Sequence, residues 1–68
     1  MKEINVDIIR RKQRKLRISS EAIADYAGVD IDTYYQYLHR REMPTKVIKK
    51  VCEILNLKKE EILRWYTL

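Results

Sequence analysis

Side chains able to do covalent or metal chemistry are few in this chain: one histidine, His39, one cysteine, Cys52, and no glycine-rich run, Gly28 being the only glycine. A metal site needs several His, Cys or carboxylate ligands at short spacings, and a phosphate loop needs clustered glycines; neither constellation is present in the sequence. The chain is therefore not expected to be an enzyme, to hold a metal or cofactor, or to take a small-molecule substrate. Cys52 is expected as a small buried side chain. His39 suits either a helix C-terminus near a phosphate or a plain surface position. What the chain has in quantity is fixed positive charge, with 15 Lys and Arg against 10 Asp and Glu, a net +5 and a pI near 9.5. The cations crowd into two stretches, Arg10, Arg11, Lys12, Arg14, Lys15 and Arg17, then Arg40, Arg41, Lys46, Lys49 and Lys50. Such clusters are either two solvated faces or the footprint of an anionic partner, for which nucleic acid is the first candidate.

The frame that must position these charges is small. Sixty-eight residues make one domain, residues 1 to 68, with a modest core. Hydrophobic residues at 46% and charged ones at 37% suit a soluble globule. No run approaches the roughly 18 apolar residues of a membrane span, and no membrane partner is expected. The first residues, with their acids and no long apolar segment, do not resemble a secretory signal, and a lone cysteine fits a reducing compartment. A cytoplasmic location is expected.

The stretch from Ser19 to His39 holds two helix starts around Gly28. Ser19 caps the first, with Glu21 in its first turn and Ile18 and Ile23 placed to staple the entering chain. Gly28 is the natural left-handed stop. Asp30 then caps a second helix, with Val29 and Tyr34 as its staple. Two helices, Ser20 to Ala27 and Ile31 to His39, thus meet across a short turn, the outline of a helix-turn-helix. Within the second, Tyr34, Tyr37 and Leu38 form a buried stripe and Tyr35 points away. Ahead of the pair, Asn5 caps a helix over Val6 to Lys15, with Ile4 and Ile9 as staple and Val6, Ile9, Gln13 and Leu16 on its apolar side. Behind it, Arg40 to Thr45 is expected as a polar link, and Thr45 as the cap of a fourth helix ending near Asn56. That helix buries Ile48, Val51, Cys52 and Leu55. A fifth helix is expected over Lys59 to Tyr66, with Leu57 and Ile62 as staple and Lys58 as a poor cap.

The ordered set Ile18, Ser19, Ile23, Ala24, Gly28, Val29 and Tyr34 resembles the pattern of Cro-type, lambda-repressor-like DNA-binding domains, and the likeness extends from about Val6 to Leu63. The chain departs from that pattern in three places. Ser20 stands where Gln is common, Leu38 where Glu is common, and Arg40-Arg41 where a Gly usually follows. The resemblance implies an all-α, compact five-helix fold with a helix-turn-helix at helices two and three, and a sequence-specific transcriptional regulator of the small phage or bacterial repressor kind.

It further implies that helix three enters the major groove of double-stranded DNA with helix two across the backbone. The base-reading residues would then be Ile31, Asp32, Thr33, Tyr35 and Gln36: Gln36 pairing with adenine, Asp32 accepting from cytosine, Ile31 or Tyr35 packing on a thymine methyl. Ser19, Ser20, Arg40, Arg41 and Lys46 would hold phosphates. The alternative is a protein-interaction module of the same fold, an antirepressor or antitoxin-like partner, suggested by Asp30, Asp32 and the missing Gln. The apolar carboxy-terminal end, Leu63, Trp65, Tyr66 and Leu68, is expected to form a homodimer interface that would match a palindromic operator, the alternative being that Trp65 folds back onto its own chain.

Overall fold

Three helix starts carry the side-chain caps that their residues promise. In the computed structural model, which describes residues 1–63, Asn5 Oδ1 accepts from the Ile8 amide at 3.4 Å, Ser19 Oγ from Ala22 at 3.1 Å and Asp30 Oδ1 from Thr33 at 3.2 Å. These caps open α1 (Val6–Leu16), α2 (Ser20–Ala27) and α3 (Ile31–Arg40). Each such cap contributes about 1 kcal/mol by giving a partner to an amide that the helix cannot satisfy. α4 (Thr45–Leu55) and α5 (Lys59–Ile62) complete the helices among the described residues.

The helix ends share one device. Arg17, Gly28 and Asn56 all adopt the left-handed conformation, with φ of 57°, 77° and 55°. The next residue's amide then donates back five positions: Ile18 to the Gln13 carbonyl at 3.0 Å, Val29 to Ala24 at 3.0 Å and Leu57 to Cys52 at 2.9 Å. This double closure is a Schellman motif, whose apolar residue after the cap packs inward. Ile18, Val29 and Leu57 are all half-buried against the core. Each also precedes the cap of the following helix, so one apolar side chain closes one helix and staples the next.

The core runs from Ile4 to Leu63 and contains no buried polar residue among the described ones. α4 lies at its centre, touching α1, α2 and α5, and inserts Val47, Ile48, Val51, Cys52 and Leu55. Burying each aliphatic side chain of this size is worth roughly 1.5–3 kcal/mol. Burial also pushes the Cys52 thiol above its ordinary pKa, as suits an inert packing residue.

Several expectations are corrected. Arg40 to Thr45 is not a polar link: Arg40 ends α3, and Glu42–Met43 forms a strand, β2, antiparallel to β1 (Lys2–Glu3), with Met43 fully buried. Pro44, not Thr45, occupies the cap of α4, and its carbonyl takes the Val47 and Ile48 amides at 3.0 and 2.9 Å without a side-chain cap. Leu16 leaves the apolar side and is 41% exposed, because the helix closes at Arg17 and Ile18 takes the inward place. α5 stops at Ile62, since Leu63 is extended and pairs with Ile4. Its cap is better made than Lys58 alone suggests, for Glu61 Oε1 accepts from the Lys58 amide at 3.0 Å. Leu63, only 4% exposed, belongs to the chain's own core rather than to a surface between two copies. Trp65, Tyr66 and Leu68 lie outside the described residues. No helix of the described chain is long and apolar enough to cross a membrane.

Candidate nucleic-acid interface

α3 presents one wet side and one dry side. Tyr34 and Leu38 point into the core, while Asp32, Tyr35, Gln36 and His39 are exposed at the spacing of one helical stripe. Tyr35 is 49% exposed, and its ring lies 6.3 Å from that of Tyr34 at an interplanar angle of 45°. Ile31 is half-buried against the core and Thr33 is half-buried too, its amide taken by the Asp30 cap. Of the five residues expected to face outward together, the structure therefore brings Asp32, Tyr35 and Gln36 onto the open stripe, adds His39, and turns Ile31 and Thr33 partly inward.

A hydrogen-bond chain fixes α3 to the helices before it. The Tyr34 hydroxyl donates to Gln13 Oε1 at 2.9 Å, and Gln13 Nε2 donates to the Ile18 carbonyl and to Ser20 Oγ, both at 3.2 Å. A single carboxamide thus ties α1, the α1–α2 turn, α2 and α3. Burial pushes the Tyr34 pKa up to about 12; the nearby Arg10 charge acts the other way, and Tyr35 raises it slightly further. At neutral pH the hydroxyl is a fixed donor.

The phosphate candidates fall at two places. Ser19 and Ser20 begin α2, Ser19 exposed and Ser20 half-buried, with Ser19 Oγ spent on its cap and Ser20 Oγ accepting from Gln13. Arg40, Arg41 and Lys46 are exposed after α3 and at the start of α4. Arg41 adopts φ of 60°; its amide donates to the Leu38 carbonyl, and its own carbonyl accepts from Ile4, so its backbone serves the fold while its side chain stays wet.

A third basic surface escapes a reading of clusters alone. A cleft of about 440 Å³ between α1 and the start of α2 is lined by Asp7, Arg10, Gln13, Arg14, Arg17, Ile18 and Ser19. Arg10 and Arg14 stand one turn apart on α1, a spacing available in the sequence, and Arg17 joins them from the left-handed position that closes the helix. A smaller groove of about 190 Å³ on another side of α1 takes Arg11, Lys12 and Lys15, with Ile8, Leu57 and Glu61. The first basic stretch is thus split between two faces.

No family model, no curated protein and no solved structure matches this chain. The chemistry rests on the residues themselves. Gln36 has a donor and an acceptor on one planar group, the pair that reads an adenine edge. The Asp32 carboxylate can accept from a cytosine amino group, and the Tyr35 ring offers an apolar face for a thymine methyl. Asp30, by contrast, is held below the ordinary carboxylate pKa by the hydrogen bonds that Thr33 donates to it, and works as a cap.

Proposed function

We propose that this protein is a sequence-specific regulator that binds double-stranded DNA, with α2 and α3 as a helix-turn-helix and α3 laid in the major groove, in the manner of lambda-repressor-like domains. One observation carries the reading: α3 is capped, pinned through Tyr34, Gln13 and Ser20, and left open along the stripe of Asp32, Tyr35, Gln36 and His39. A rigid helix with a bare polar stripe between basic flanks is what base readout requires. The role is that of a small cytoplasmic repressor acting without a cofactor. Pairing of two copies on a palindromic operator is part of the proposal and rests on the apolar types of Trp65, Tyr66 and Leu68. The test is selection of bound duplexes from a random library, followed by titration across salt. With about five phosphates engaged, affinity falls on the order of a hundredfold or more between 50 and 200 mM salt. Retention of no duplex at 50 mM salt ends this reading.

The second reading, an antirepressor or antitoxin-like module that docks another protein, is favoured by the exposed Asp30 and Asp32 at the start of α3, since carboxylates repel phosphate. It predicts a protein partner whose binding Tyr35→Ala abolishes, and no salt-sensitive duplex binding.

A further inference from the structure

Resting on the reading as a duplex-binding regulator, we propose that the cleft between α1 and α2 seats the sugar-phosphate backbone of the duplex, held by Arg10, Arg14 and Arg17 outside the helix-turn-helix. Arg10, Arg14 and Arg17 all line one space of about 440 Å³, in which Asp7 is the acid among the described lining residues. None of the three side chains makes an ion pair among the described residues. Arginines that stabilised the fold would be engaged by carboxylates; these leave all five donors of each fork available, in the geometry that suits phosphate oxygens. The occupant must be anionic, and three arginines set against one acid complement the closely spaced phosphates of a duplex strand.

The position of the cleft matters as much as its charge. Gln13 lines it and at the same time holds Ser20 and the Tyr34 hydroxyl, so the cleft wall and α3 are parts of one hydrogen-bonded unit. A backbone seated on the arginines is thereby placed at a fixed offset from the Asp32, Tyr35 and Gln36 stripe. The three arginines act as positioning residues: they carry no sequence preference and set where along the duplex α3 reads.

The experiment compares two variants of equal charge. One carries Arg10→Gln, Arg14→Gln and Arg17→Asn, asparagine being chosen because it tolerates the left-handed conformation of position 17. The other carries Arg11→Gln, Lys12→Gln and Lys15→Gln on the opposite groove. Duplex binding is titrated against salt for both and for the wild type. The cleft variant is expected to lower the slope of log affinity on log salt by about 2 to 3 and to weaken binding on the order of a hundredfold near 0.1 M salt. The control variant is expected to change the slope by less than about 1, and Arg10→Lys with Arg14→Lys to restore most of it. Equal losses in both variants mean diffuse charge and overturn the clamp while the regulator reading stands. A wild type that binds no duplex overturns both.

Discussion

Gln36 and Lys46 separate two kinds of contact at single residues. Gln36→Ala is expected to cost roughly 1–3 kcal/mol on the preferred site and to relax preference at one base pair, whereas Lys46→Ala weakens all duplexes about equally. Competition titrations against single-base variants of the site check both. Gln36→Ala lowering specific and random binding alike would show that α3 does not read bases there. Tyr34 is fully buried, as its place in the apolar stripe predicts, and its hydroxyl is engaged. Tyr34→Phe removes one buried hydrogen bond and leaves Gln13 Oε1 without that donor, an expected loss of about 1 kcal/mol in urea unfolding. Its alkaline behaviour has a definite sign. The folded pKa, about 12, lies above the ordinary value of 10.0, so folding favours the protonated phenol. That contribution is whole below pH 10 and is lost as pH rises toward 12, on the order of 2–3 kcal/mol. Wild type, about 1 kcal/mol ahead below pH 10, should therefore draw level with Tyr34→Phe at about pH 11 and fall below it toward pH 12.

At the scale of elements, the helix ends decide most of what was and was not legible. Ser19, Asp30, Asn5 and Gly28 announce their roles by residue type, and the bounds of α2 follow from them to the residue. Arg17 and Arg41 announce nothing, because arginine carries no preference for φ near +60°; tertiary closure forces that conformation on them. The closure of α1 at Arg17 accounts for the exposure of Leu16. The strand pair of β1 and β2 was equally hidden, since two-residue strands have too few positions to show alternation. The three caps make a graded test. Gly28→Ala meets no atom within 4 Å, so its cost is conformational alone, about 1 kcal/mol. Arg17→Gly is expected to gain a few tenths of a kcal/mol and Asn56→Gly almost nothing, since asparagine already tolerates the conformation. Thermal unfolding of the three variants ranks them. A destabilised Arg17→Gly would mean that the arginine side chain holds more than its cap.

For the molecule as a whole, the first residues are tied to the middle and the end. Ile4 is fully buried, its amide donates to the Arg41 carbonyl at 3.0 Å, Asn5 donates to Ile62 at 2.7 Å, and Ile4 bridges to Leu63. Ile4→Ala is expected to cost about 2–5 kcal/mol, much of the stability a domain this small can have, and to leave a measurable unfolded fraction by circular dichroism at 25 °C. Sedimentation tests the proposed pairing: Trp65→Ala should yield a folded monomer that binds half-sites as the wild type does and full palindromes less well. A wild type monomeric at high micromolar concentration would remove the dimer. The Ile4 to Leu63 bridge also sets an order of events in the cell. A ribosome delivers Ile4 early and Leu63 some 59 residues later, a wait of roughly 3–12 s at about 5–20 residues per second. Through that interval a side chain destined for full burial lacks its Leu63 neighbour, so this side of the core closes only once Leu63 has been made. The helices between them emerge first, and the arrival of Leu63 completes the bridge to Ile4.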